Sequence, residues 1–547
     1  MTQMGRNAGL AGAATDMVPP MDPSGGMRLL GHPPGLFLLF FVEMWERFSY
    51  YGMRALLVLY LMENAARDHK TSYGIVNPGR QWSEGEANTL YGWYTGLAYL
   101  FPVLGGIIAD KFIGTHRSMV LGGLIIALGH IVLAVSGMGE WAHNEVGMSA
   151  FIGGLALIIL GTGHFKPCVS TMVGQLYRQG DASRDGGFSI FYMGINLGAF
   201  LCAFVCGTLG QKVGWHWGFG SAAVGMIAGL IMYVFGRPQF LRGIGLAPEG
   251  RPNISALMFV INCALAAGVG YAFHLGFFGR ISGAIEQLGK PENATLAQVL
   301  LGGLLAVVVV GAGWFVAAQR PGDRGPTASI FLFMMFNIFF WIGFEQAGST
   351  MNVFAERSTD RTVFGYDVPA TWFQSINAGL IFLLAPLFAL LWASLGRRQL
   401  SPSQPAKIGL GLVLLGVGFL FMVMGAMRNN DGTLVSPWWL FMAYFVHTLG
   451  ELCLSPTGLS YVTKAAPLRW VALLMGIWFI SSFVGNLGAG LVASQVEAIE
   501  KGEVQLPWHF GGRADYFMIF VVSGIGMGVI VLVFTPLLKK MLRSKTD

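Results

Sequence analysis

The sequence predicts an all-α polytopic membrane protein with 14 transmembrane helices, arranged as two six-helix bundles plus two inserted helices. Three observations lead there. Apolar residues make up 54% of the 547 residues and charged residues only 11%. Apolar runs of about 20 residues or more, enough to cross roughly 30 Å of hydrocarbon, recur along the chain. Short sequence echoes of the first half return in the second. The first two exclude soluble globular classes. The 78 glycines, about twice the usual ~7% share, suit helices packed closely through small residues in lipid. The formal charge of +6 does not point to nucleic acid, because the basic residues are scattered through short loops and form no patch.

In chain order, residues 1–34 carry Pro19, Pro20, Pro23, Gly25 and Gly26 and no basic-then-apolar signal, so a disordered cytoplasmic tail without a cleaved leader is expected. Apolar spans at 35–63, 87–111, 117–137, 149–174, 187–209 and 215–236 form an N-terminal six-helix bundle over 35–236. Region 237–326 is a linker holding two inserted spans, 254–279 and 296–318. Their intramembrane polar residues are essentially Asn262 and His274, so both read as peripheral. Spans 327–352, 370–395, 407–427, 437–463, 470–496 and 515–538 form a C-terminal six-helix bundle over 327–538, and 539–547 is a basic cytoplasmic tail. With the N-terminus inside, Lys and Arg in the cytoplasmic tails and loops outnumber those outside nearly two to one, which places both termini in the cytoplasm. The five cysteines (Cys168, Cys202, Cys206, Cys263, Cys453) lie in apolar segments without metal-ligand spacing and read as small buried residues.

Two echoes suggest duplication. Met193-Gly194-Ile195-Asn196-Leu197-Gly198-Ala199 in the fifth span returns as Val484-Gly485-Asn486-Leu487-Gly488-Ala489 in the thirteenth. The loop from Gly106 to Arg117, with Asp110, Lys111, Gly114 and Arg117, has a degraded partner in Trp392–Arg398. The first loop resembles the signature of the major facilitator superfamily, whose halves are parallel repeats with a substrate site between them.

The first span holds Glu43-Met44-Trp45-Glu46-Arg47-Phe48-Ser49-Tyr50-Tyr51-Gly52-Met53-Arg54. Offsets of 3, 4, 7, 8 and 11 from Glu43 fall on one helical stripe, so one face is charged and aromatic. Each ionisable residue at a helix centre costs roughly 2.5–3.5 kcal/mol of insertion free energy, and such residues normally face a watery cavity or an opposite charge. A structural ion pair needs one charge on each of two helices; this helix alone brings four. Elsewhere, ionisable groups deep in spans are Lys166, Glu345 and Glu451, with His164 and His447 nearby. Glu345 follows Arg54, and Glu451 follows Lys166, at close to the repeat interval. The members of each pair are therefore expected at similar depth in opposite halves, making a dipole suited to a zwitterion. Asn337, Trp341 and Glu345, Tyr192 and Asn196, and Trp478 and Ser482 each lie four apart, joining aromatic to polar groups on one face.

The Glu43–Tyr51 run matches the E-x-x-E-R-F-x-Y-Y pattern of the proton-dependent oligopeptide transporter (POT, or PTR) family of the major facilitator superfamily. Gly161-Thr162-Gly163-His164-Phe165-Lys166-Pro167 resembles its fourth-helix lysine motif, and Phe191–Gly198 its fifth-helix signature. Phe344-Glu345-Gln346, Trp372–Asn377 and Gly450–Pro456 are similar to further family elements, so the resemblance covers the chain from residue 35 onward, and the inserted pair is similar to that of bacterial members. One departure is the second span, which lacks the histidine that animal members use in proton handling.

The resemblance implies a proton-coupled importer of di- and tripeptides in a cell (cytoplasmic) inner membrane, with the proton gradient as co-substrate and no other cofactor, metal or nucleic acid. It implies that Arg47, Arg54 and Lys166 bind the peptide carboxylate, that Glu451 with Asn196 and Asn377 holds the amino terminus, and that Tyr50, Tyr51, Trp341, Trp478 and Ser482 shape side-chain pockets. It also implies proton handling by Glu43, Glu46 and Glu345, and gating salt bridges Arg54–Glu345 and Lys166–Glu451. The alternative is a proton-coupled transporter of nitrate or another small organic solute on the same fold. No H-E-x-x-H, G-x-S-x-G or Cys/His ligand spacing points to an enzyme, and paired charges with a two-half layout favour alternating access over a channel.

Overall fold

The computed structural model describes residues 27–178, 181, 183–280 and 294–543. Most of the expected N-terminal tail and the last residues of the basic tail lie outside them. Fourteen long helices follow in order: α1 Pro34–Met62, α2 Glu84–Ile108, α3 Gly114–Ser136, α4 Glu145–Gln175, α5 Arg184–Cys202, α6 Trp215–Phe240, α7 Ser255–His274, α8 Ala294–Ala317, α9 Pro321–Phe344, α10 Gln374–Arg397, α11 Gln404–Asn429, α12 Trp438–Ala465, α13 Val471–Ala493 and α14 Arg513–Arg543. Each falls on one expected span. Local chemistry sets several starts. Pro34 and Pro321 open α1 and α9, where a missing N–H costs nothing. Ser83 and Glu86 close a capping box on α2, and the Asn144 side chain accepts from Gly147 N at the head of α4.

Two spans expected as single helices are interrupted. α5 passes through a π-helical turn at Ala203–Gly207 into Thr208–Lys212. α9 ends at Phe344, turns tightly through Glu345–Gly348 and resumes as Thr350–Arg357. Among the described residues ten helical stretches are long and apolar enough to cross a membrane, one of them running through both α2 and α3. α1 is not among them, because its charges spoil the apolar window.

Helices α1–α6 pack into one six-helix bundle and α9–α14 into the other. The inserted α7 lies against α4 and α3, and α8 against α9. The duplicated glycines do the same job twice. A Cβ at Gly198 of α5 would lie 2.2 Å from the Met44 carbonyl of α1, and one at its repeat equivalent, Gly488 of α13, would lie 3.1 Å from the Ile342 Cδ1 of α9. Asn196 and Asn486 likewise each donate to a carbonyl one turn back, Tyr192 O at 3.0 Å and Ser482 O at 2.9 Å.

The bundles meet chiefly through α2 with α13 and α5 with α10. A Cβ at Gly92 of α2 would lie 2.8 Å from the Cα of Gly490 on α13, so there the two backbones touch. Polar bonds tie the bundles at the end where α1 terminates. Asn352 Nδ2 donates to Ala55 O, Gln211 Nε2 to Glu356, and Arg361 to the Tyr73 hydroxyl, while Arg513 pairs with Glu84 at 2.6 Å. One apolar core runs through both bundles at that end, with Leu56–Met62 and Val353–Ala355 in a single cluster. Around the start of α1, by contrast, the core of Leu36, Leu39, Met119, Val169 and Tyr233 belongs to the first bundle alone.

Candidate functional site

Between the bundles lies a cavity of about 300 Å³. The first bundle contributes Glu43, Arg47, Tyr51 and Arg54 from α1, Tyr99 from α2, Lys166 from α4, and Tyr192, Asn196 and Cys202 from α5. The second contributes Trp341 and Phe344 from α9, Glu345 from the turn after it, Gln374 and Asn377 from α10, and Tyr444, His447 and Glu451 from α12. Of the ionisable side chains placed deep in spans by the sequence, all but Glu46 and His164 of the set named above line this space.

The charges sort into two kinds. Arg47 is tied within its own helix, with Nε 3.2 Å from Glu43 Oε1 and a two-pronged contact to Glu46. Glu46 is fully buried behind Arg47 and does not face the cavity. Arg54 crosses the interface, its Nη2 2.5 Å from Glu345 Oε2 and its Nε donating to the Tyr91 hydroxyl at 2.5 Å. Both members of that pair are buried, so the attraction is little weakened by solvent. The break in α9 is what turns Glu345 toward α1.

Lys166 and Glu451 behave differently. Among the described residues no ion pair joins them. The Lys166 ammonium sits 3.8 Å from the centroid of the Tyr99 ring, a cation–π contact. Glu451 Oε2 accepts from Asn377 Nδ2 at 3.0 Å, and the same amide reaches Thr448 Oγ1 at 3.0 Å. An ammonium from one bundle and a carboxylate from the other thus line one cavity, each with a neutral partner. The expected Lys166–Glu451 bridge is not made in this conformation; the ammonium lies over Tyr99 and the carboxylate accepts from Asn377.

Of the aromatic and polar residues expected to shape pockets, Tyr51 and Trp341 reach the cavity, and Trp341 Nε1 is fixed by Asn337 Oδ1 at 3.0 Å. Tyr50, Trp478 and Ser482 do not. Tyr50 follows the helix round by about 100° from Tyr51 and stacks on Tyr94, while Trp478 is buried in the core and Ser482 on α13 is nearly so. Sequence reasoning passed over Tyr99, Gln374 and Tyr444 as cavity residues. Tyr99 carried little signal of its own, being one of five aromatic residues in that span with Tyr91, Trp93, Tyr94 and Phe101.

Two six-helix bundles enclosing one buried, doubly charged cavity define a membrane transporter of the major facilitator type. A family profile described as "POT family" matches residues 116–508. The peptide transporter YePEPT of Yersinia enterocolitica is 37% identical over 490 residues, 87% of this chain and 90% of that protein. The di-/tripeptide transporter of Lactococcus lactis subsp. cremoris is 35% identical over 521 residues, 93% and 97% of the two chains. Among solved structures, a peptide transporter POT in complex with sulfate superposes with a TM-score of 0.75 at 35% identity, covering 94% of this chain and 97% of that one. A POT family transporter holding a thioalcohol-conjugated peptide gives 0.74 at 27% identity, covering 95% and 99%. The chain belongs to the POT family, whose members are multi-pass membrane transporters and not enzymes.

Proposed function

We propose that this chain is a proton-coupled symporter that imports di- and tripeptides by alternating access. It would sit in a cytoplasmic membrane with both termini inside, as the bias of basic residues favours. The observation that carries the reading is the cavity with Lys166 on one bundle and Glu451 on the other, each held, among the described residues, by a neutral partner. A zwitterion with its charges a few residues apart replaces Tyr99 and Asn377 with true counter-charges. The peptide carboxylate goes to Lys166 with Arg47 and Arg54 behind it; the amino group goes to Glu451 with Asn196 and Asn377. Tyr51, Tyr192 and Trp341 border the space left for side chains, and aromatic walls accept many shapes without demanding one hydrogen-bond pattern. The names of the relatives support the substrate class.

Coupling follows from the carboxylates packed against Arg47 and Arg54. Protonating a carboxylate in a dehydrated pair removes its hold on the cation, which then turns to the substrate carboxylate. Glu43, Glu46 and Glu345 are the groups placed to take that proton, and Glu46→Gln should lose gradient-driven uptake while keeping exchange of peptide across the membrane. The deciding experiment is uptake of labelled dialanine into proteoliposomes with and without an inward proton gradient. Accumulation only with the gradient, competed by other dipeptides and abolished in Lys166→Ala, is the expected result. No dialanine uptake, with nitrate or an organic acid moving instead, would keep the charge map and overturn the substrate.

A further inference from the structure

The inserted helix α7 presents a narrow face to the first bundle, made of Asn262, Ala266 and Gly270. These are one turn apart, so the buried stripe holds two small residues and a single polar one. An amide in a lipid-facing helix is costly unless paired. Asn262 Nδ2 is 3.2 Å from Nε2 of His164 on α4, and also donates to Met258 O at 2.7 Å. The other ring nitrogen of His164 is 3.4 Å from Ser118 Oγ on α3, and that hydroxyl donates to the His164 carbonyl at 3.1 Å. One proton arrangement satisfies all of these bonds: the amide donates to Nε2, Nδ1–H donates to the Ser118 oxygen, and the Ser118 hydroxyl donates to the carbonyl. Ser118, His164 and Asn262 are all buried.

Lys166 lies two residues on from His164, about 200° round the helix, so the ring points to α3 and α7 while the ammonium points into the cavity. The next residue is Pro167, which has no N–H to give the carbonyl of Gly163. The α4 backbone thus loses a rung at the turn that aims Lys166, and the His164 clamp grips that turn from behind. We propose that Asn262 of the inserted helix, through His164, is a positioning residue for Lys166, which makes α7 part of the machinery that sets the cavity cation. This rests on the reading of Lys166 as the carboxylate-binding cation.

The test compares Asn262→Leu with Ser149→Ala. The latter loosens the other polar tie of α7, Ser149 Oγ to His274 Nδ1 at 3.5 Å, far along the helix from Lys166. Asn262→Leu should raise the KM for dialanine about five-fold, the worth of one ordinary hydrogen bond, with maximal rate and protein level unchanged. Ser149→Ala should leave KM unmoved. A readout free of any substrate assumption uses Lys166→Cys in a chain whose other cavity-lining thiol, Cys202, is replaced by Ala. Its alkylation rate by a charged water-soluble thiol reagent should change several-fold with Asn262→Leu and not with Ser149→Ala. Equal effects of the two variants, or none on either KM or alkylation, would overturn the proposal. Absence of dialanine uptake by wild type with the alkylation difference intact would instead overturn only the substrate.

Discussion

Arg54 and Lys166 each have a carboxylate at nearly the same interval in the second half of the chain, yet only one pair is closed. Arg54 and Glu345 meet at 2.5 Å where the bundles are already tied together. Lys166 and Glu451 line the cavity with Tyr99 and Asn377 at their charged ends. Equivalent positions in a duplicated fold have therefore been put to two uses, one as a fastener between bundles and one as a pair of open poles.

The largest change should come from unfastening the first pair. Glu345→Gln leaves Arg54 buried without its counter-charge, at a cost of about 3–5 kcal/mol. Net uptake should fall by two orders of magnitude or more, and the swap Arg54→Glu with Glu345→Arg should recover part of it, measured as initial rates in vesicles. A smaller effect should follow from Tyr99→Leu. It removes a cation–π contact worth about 0.5–2 kcal/mol, so the KM for a dipeptide should shift by several-fold in either direction, according to whether Lys166 is freed for substrate or left misaimed. No closing of Lys166 onto Glu451 in that variant, read by zero-length carbodiimide cross-linking of the two native side chains, would show that Tyr99 is not what parks the ammonium.

The smallest effect belongs outside the membrane. Arg67 and Glu140 form a two-pronged but exposed bridge, with contacts of 2.8 and 2.6 Å, and the Arg67 guanidinium holds the Glu140 carboxyl below its usual range. A depressed carboxylate stabilises the fold at neutral pH and loses that contribution only as the pH falls through its lowered value. Exposed pairs are worth little. Glu140→Gln should leave the melting temperature and uptake at pH 7 unchanged, which marks the floor against which the buried pairs are judged.

Much of this was legible in the sequence because lipid imposes harsh rules. Helix length and apolarity placed the fourteen helices, and the insertion cost of charge picked out Glu43, Glu46, Arg47, Arg54, Lys166, Glu345 and Glu451, all but Glu46 of which line one cavity. The repeat interval gave depth but not separation, so it paired Lys166 with Glu451 as readily as Arg54 with Glu345. Aromatic residues were the weak point. Tyr50 and Tyr51 carry the same motif signal, but only Tyr51 faces the cavity, and Tyr444 reads like any packed tyrosine in an apolar helix. The break after Phe344 was passed over as well: Gly348-Ser349-Thr350 are poor helix formers, but glycine is so common in the packed helices of this chain that the run did not stand out, and the structure turns the span at Glu345.

The bare contact between Gly92 and Gly490 carries one more consequence. Where two backbones touch, a single methyl group has no room, so alanine at either position acts as a wedge driven between the bundles at their joined end. Such a wedge touches neither charge nor cavity. Under the proposed alternating access, its effect should fall on the balance between the two access states, a dial by which the resting population of the transporter could be turned without altering what the site recognises.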